Sequence, residues 1–216
     1  RFKHYPLDNH CNASLPGPAH LRACEAAAAM VCAQSQGRAW EMHDLIFENN
    51  TALSDDDLNR YAAQASADVE RFKMCMANPE TMKTVKADIA QGNQLGIEGT
   101  PTLYINGVKI PKVGDVTSGE ILSYVETARK KLETQKKKTL KKKLEAPKKS
   151  RSNTWIRGDA KAPVTIVEFA DFECGHCQFF AGILKEALKK APGEFKYQFR
   201  HFPLDQSCNR EITQPM

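Results

Sequence analysis

No stretch of the chain is apolar over the roughly 20 residues that a bilayer-spanning helix needs, and residues 1–20 carry no basic-then-apolar leader. A membrane span is therefore not expected within this sequence. The missing leader says little about export, because Arg1 already falls inside a strand pattern. One Cys-x-x-Cys is present without a second, and Cys208, His4, His10, His20 and His43 lie scattered, so no zinc or other metal site is expected. Leu132, Leu140 and Leu144 do not hold a heptad register long enough for a coiled coil.

Cysteine itself is not scarce. Seven in 216 residues is many for a reduced cytosolic protein without a metal centre, which favours an oxidising compartment, and the odd count leaves at least one thiol over from pairing. With 41% apolar residues the chain can bury an ordinary core, as one large domain or two small ones. Its net charge of +5 is unevenly spread: residues 129–151 hold twelve Lys and Arg against two Glu, so the remainder is net negative. The basicity belongs to a connector, and a nucleic-acid partner is not expected.

The stretch that organises the chain runs from Val164 to Ala191. A β-branched apolar run, Val164 to Phe169, is followed by Cys174-Gly175-His176-Cys177, and then Phe179, Phe180, Ile183, Leu184, Ala187 and Leu188 recur at helical spacing. Two residues between the cysteines put both sulfurs in the first turn of a helix, with Cys174 at the end where unpaired N–H groups favour a thiolate. That assigns Cys174 as nucleophile and Cys177 as resolving thiol. Half of a zinc site and a plain structural disulfide are the competing readings; the strand and helix flanks favour redox chemistry.

A repeat lies across the two ends. Phe2-Lys3-His4-Tyr5-Pro6-Leu7-Asp8-Asn9-His10-Cys11-Asn12 recurs as Phe199-Arg200-His201-Phe202-Pro203-Leu204-Asp205-Gln206-Ser207-Cys208-Asn209, identical at seven of eleven positions with an offset of 197. An offset of that size is a domain-sized period. Between the copies, an Ala-rich segment predicts a helix from about His20 to Ser35, and Trp40, Leu45 and Phe47 fall on the next. Ser54 with Asp57 predicts a capping box, and Asn78-Pro79 a cap and first-turn proline for a helix to about Gln94. Trp40, Met42, Phe72, Met74 and Met76 are expected mostly in the core, with a substrate groove as the alternative. Gly99-Thr100-Pro101 precedes two short β runs joined by Asn106-Gly107, a hairpin signal, and Pro101 is a candidate cis residue. Ser118 is the expected cap of a helix from Ile121 to about Leu132. The domain boundaries read as 1–130, a Lys-rich linker 131–153, and 154–216. Cys11 and Cys24 are the candidates for a structural disulfide, because Cys11 recurs at the same strand exit in both copies and Cys24 opens a helix one short loop later.

Together the strand Val164 to Phe169, Asp171-Phe172-Glu173-Cys174-Gly175-His176-Cys177, the Phe-Pro-Leu-Asp strand end, Gln36-Gly37-Arg38-Ala39-Trp40-Glu41-Met42-His43-Asp44-Leu45-Ile46-Phe47 and Gly99-Thr100-Pro101-Thr102-Leu103-Tyr104-Ile105-Asn106-Gly107 resemble the DsbA-like thiol-disulfide oxidoreductases of the thioredoxin superfamily. The resemblance implies an α/β thioredoxin-like fold with a helical insertion. It implies that Thr100-Pro101 forms a cis-proline loop set against the cysteines, and that Glu168 is a buried acid relaying the resolving thiol's proton. Without it, a strand-edge glutamate facing water is an equal reading of Glu168. Gly175-His176 is similar to the dipeptide of oxidising members and of protein disulfide isomerases, where the histidine stabilises the thiolate. Arg157-Gly158-Asp159 is similar to the openings that precede the first strand of the family and is given no adhesive meaning.

The chain departs from the family in order: its first copy lacks the strand and Cys-x-x-Cys, and its second lacks the insertion and cis-proline loop. The chain reads as parts of two tandem copies, 1–130 the C-terminal part of one domain and 154–216 the N-terminal part of the next. The expectation is that they assemble within one chain as a circularly permuted or split unit, with the second copy of the repeated strand taking the central slot of the sheet; halves that stay apart are the alternative. The resemblance further implies protein or peptide thiols as substrates, a redox partner that reoxidises or reduces the pair, no cofactor, and a bacterial periplasmic or other extracytoplasmic location. A disulfide isomerase or reductase, and a thioredoxin-fold binding module without turnover, remain the alternatives.

Overall fold

The computed structural model describes residues 2–8, 20, 22–97, 99–111, 116–139 and 155–205. In chain order the elements begin with β1 (Phe2–Asp8), α1 (Ala23–Gln34), α2 (Ala39–Glu48), α3 (Asp55–Gln64), α4 (Val69–Met76) and α5 (Pro79–Gln94). There follow β2 (Thr102–Ile105), β3 (Val108–Lys109), α6 (Ser118–Thr139), β4 (Ile156–Gly158), β5 (Val164–Ala170), α7 (Gly175–Lys190) and β6 (Phe195–Asp205).

The local signals explain most boundaries. Ser54 accepts from the Asp57 N–H while Asp57 reaches back to the Ser54 N–H, the reciprocal box that opens α3. Asn78 accepts from the Glu80 N–H, and Pro79 stands where its missing N–H costs nothing. Asn106 and Gly107 both take positive φ, 48° and 82°, which the tight β2–β3 turn requires. For α6 the expected cap moves by one residue: Thr117 and Glu120 exchange hydrogen bonds with each other's backbone, so Ser118 is already helical. The helix also runs to Thr139, past Leu132, through Lys, Glu and Gln residues that favour it.

Among the described residues six strands form one sheet, in the order β1-β6-β5-β2-β3, with β4 also on β6. β5 and β6 are parallel and joined through α7, and β2 runs antiparallel to β5, pairing Leu103 with Glu168. The outer edge of β6 is divided. β4 covers Lys196 to Gln198 and β1 runs parallel to the stretch from Arg200 to Asp205, so the two short strands between them pair the edge that β5 leaves open. β1 pairs Phe2 with Arg200, not with its repeat counterpart Phe199, a slip of one residue that holds to Tyr5 and is undone by an irregularity before Asp8, which pairs with its counterpart Asp205.

α1 is apolar on nearly every side, and small buried residues such as Ala26, Ala29 and Ala33 let it pack against α2, α5 and β6 at once. Aromatic rings link α2 to the sheet: His43 lies 4.4 Å from Phe199, and Phe47 4.7 Å from Phe172. Met42 and Phe72 are core residues, whereas Met74 is exposed. Arg157 on β4 is engaged internally: its guanidinium donates to the Asp44 carboxylate and the Trp40 carbonyl and sits 4.3 Å from the Trp40 ring centre.

Cys32 and Cys75 form a disulfide that ties α1 to α4, a pairing the sequence reading did not choose. Cys24 is also disulfide-bonded, and the expected pairing with Cys11 lies outside the described residues. Among the described residues no helix is long and apolar enough to cross a membrane.

Candidate active site

β5 delivers the site. Its last residues, Phe169 and Ala170, are buried, and the chain turns through Asp171, Phe172 and Glu173 before α7 begins, which leaves Cys174 as the N-cap of that helix. The Cys174 N–H donates to the Asp171 carbonyl at 3.3 Å, and the Glu173 N–H to the Asp171 carboxylate at 2.8 Å, so this turn is closed by its own hydrogen bonds. Cys174 and Cys177 are both free thiols.

The first half of the sequence supplies the opposite wall. Thr100-Pro101, a cis peptide bond at the entry to β2, lies against the pair, and the Cys174 sulfur is 3.6 Å from the Thr100 carbonyl. The hydrogen bond from the Cys177 thiol draws Cys174 down to about 6, against its burial, with Thr100 acting in the same direction. Cys177 moves the other way: burial pushes it well above the usual thiol value, and the bond it donates to Cys174 adds to this. One sulfur is thus set to be a thiolate and the other to hold its proton.

Glu168 is wholly buried on β5. Burial lifts its carboxyl to about 8 even though the Tyr197 hydroxyl donates to it, and the charge of Cys174 raises it further. Its other oxygen has no hydrogen-bond partner among the described residues. The water-facing reading of Glu168 is therefore overturned. His176, between the cysteines, is exposed, and the shift of Cys174 owes most to Cys177.

So Cys174, Cys177, Thr100, Pro101 and Glu168 meet in one place, with His176 at its surface. The sequence reading missed two neighbours. Tyr197 on β6 holds Glu168, and His20 lies against Asp171, Nδ1 to Oδ2 at 3.0 Å. No short spacing could have found His20, because its partner is 151 positions away.

A Cys-x-x-Cys at a helix N-terminus, beside a cis-proline loop and at the end of a central strand, defines a thioredoxin-like domain. The thioredoxin family profile matches residues 13–145 and 150–212, and the chain belongs to that family. Among curated proteins it is similar to a Na(+)/H(+) antiporter NhaA 1 of Mycolicibacterium vanbaalenii, 31% identical over half of this chain and 16% of that protein. It is also similar to a Na(+)/H(+) antiporter NhaA of Herminiimonas arsenicoxydans, 31% identical over 62% of this chain and 19% of that protein. The chain thus spans less than a fifth of the length of these relatives. No solved structure matches it.

Proposed function

We propose that the chain is a thiol-disulfide oxidoreductase of DsbA-like type, introducing or exchanging disulfides in exported proteins. The observation that carries this is the opposed ionisation of the two sulfurs, Cys174 held low and Cys177 held high, against the Thr100-Pro101 wall. In the oxidising direction a substrate thiolate attacks Cys174 of the Cys174–Cys177 disulfide. A substrate–Cys174 bond forms, the bond to Cys177 breaks, and Cys177 leaves with the electron pair and takes a proton through Glu168. A second substrate thiolate then attacks the mixed disulfide and releases Cys174 as thiolate, so the substrate is oxidised by two electrons and the pair reduced. Reduction of a substrate runs these steps backwards, with a redox partner resetting the pair in either case.

Two variants test this. Cys174→Ser abolishes catalysed peptide oxidation and insulin reduction, whereas Cys177→Ser accumulates mixed disulfides with substrate. Wild-type protein that accelerates neither reaction would instead make the fold a binding module. The reduction potential separates oxidase from isomerase or reductase.

A further inference from the structure

Resting on that thiol-disulfide reading, we infer that His20 is a positioning residue for Cys174: hydrogen-bonded to Asp171 in the turn that carries the nucleophile, it offsets that carboxylate's opposition and so eases ionisation of the sulfur. The starting point is Asp171. Its side chain is fully buried three residues before the nucleophile, and its carbonyl accepts the Cys174 N–H. A buried carboxylate there opposes a thiolate, and its charge does act against ionisation of Cys174. Burial of such a group without a counter-charge is costly. His20 supplies the counter-charge at 3.0 Å, from a position only 16% exposed.

The same segment makes a second tie, since the Arg22 N–H donates to the Glu173 carboxylate at 2.8 Å. The turn that carries Cys174 is thereby clamped from outside its own element. Among the described residues the charged groups facing His20 are Asp171 and Glu173 from that turn and Cys174 at the N-terminus of α7. Burial pulls the imidazole down, but the charge and hydrogen bond of Asp171, helped by Glu173 and Cys174, lift it to about 9. At neutral pH it is an imidazolium. Among the described groups acting on Cys174, Cys177, Asp171 and Glu168 carry no positive charge. His176 lies within the motif but is exposed to solvent, whereas His20 is partly shielded, and a shielded charge is screened less.

The test compares reduced wild-type protein with His20→Gln by alkylation of Cys174 across pH 4 to 9, with thermal melts alongside. The alkylation midpoint rises by about one pH unit in the variant, so that labelling at pH 5 slows about tenfold, and His20→Arg restores it. A purely structural role would lower the melting temperature and leave the midpoint alone. A second measurement needs no variant: the His20 ring titrates at lower pH after the cysteine pair is oxidised, because coupling between two groups is reciprocal and oxidation removes the thiolate. An unchanged midpoint in folded His20→Gln, or a His20 titration indifferent to oxidation, overturns the inference. If instead wild-type Cys174 is labelled no faster than Cys177, the nucleophile assignment beneath it falls.

Discussion

Between about pH 6 and 8 the reduced site holds a thiolate on Cys174 next to a protonated Glu168. The two groups bias stability in opposite senses. Folded Glu168 binds its proton more tightly than its ordinary 4.5 allows, so its contribution is whole below about pH 4.5 and is lost as pH rises through about 8. Cys174 is depressed from 9 to about 6, so its contribution is present above about pH 9 and is lost as pH falls through about 6. Replacing Glu168 by Gln isolates the first effect. In urea melts under excess reductant, Glu168→Gln gains stability over wild type between pH 5 and 8, by on the order of 3 kcal/mol; parallel curves for the two proteins would refute the buried protonated carboxyl. At this scale the sequence was informative where chemistry is local. Cys174, Cys177 and Thr100-Pro101 announce themselves by spacing and dipeptide. Glu168 needed the family likeness, because a strand glutamate reads equally well as exposed. His20 and Tyr197 were opaque, since each gains its meaning only from the sheet and turn that bring it to Asp171 or Glu168.

α5 and β6 meet at a contact that admits no side chain. A Cβ added at Gly92 would overlap the ring of Phe202, which is fully buried and has nowhere to turn. Gly92→Ala is expected to destabilise the protein by about 1 to 3 kcal/mol in chemical denaturation, despite alanine's better helix propensity. Gly182 on α7 is the control. It is exposed with open space around it, so Gly182→Ala stabilises by roughly 0.5 to 1 kcal/mol. Equal effects at the two positions would mean that the helix does not sit on Phe202. Elements with caps or turn residues of their own were readable from sequence: α3, α5 and the β2–β3 hairpin fall where Ser54, Asn78 and Asn106-Gly107 put them. β4 was not. Three residues are too few to show alternation, and Ile156 to Gly158 is a strand because β6 offers an open edge. α4 opens on Asp68, which accepts from the Arg71 N–H, but no proline in its first turn and no Glu or Gln three residues on reinforce that cap. The Cys32–Cys75 bond depends on how α1 and α4 pack and has no signature in spacing.

The parts of the site come from two separate stretches of the chain. Residues 22–111 bring the Thr100-Pro101 loop, while residues 155–205 bring the cysteines, Glu168 and Tyr197. Their contact is broad: β2 against β5, the Asp88–Arg200 ion pair at 3.0 Å in a buried setting, His20 and Arg22 on the turn before Cys174, and the aromatic group of His43, Phe47, Phe172 and Phe199. The repeat made two copies of one strand visible in the sequence, and in the structure they lie side by side, the second copy next to β5 and the first outside it. The off-by-one pairing of Phe2 to Tyr5 was not foreseeable, because it depends on an irregularity between Tyr5 and Asp8 that the repeat itself does not announce. We propose that the two parts form one split unit within a single chain, held by these contacts and not by the basic segment between them. Residues 129–151 give trypsin its densest run of cleavage sites. Brief digestion followed by size exclusion in native buffer should leave the two fragments co-eluting, with Cys174 still labelled faster than Cys177 by alkylation at pH 5.5. Fragments that part on the column, or a cleaved protein whose Cys174 loses that preference, would show that the connector itself holds the site together. Co-elution that appears only at high protein concentration, with an apparent mass of two chains or more, would place the pairing between chains and make the unit an exchanged assembly.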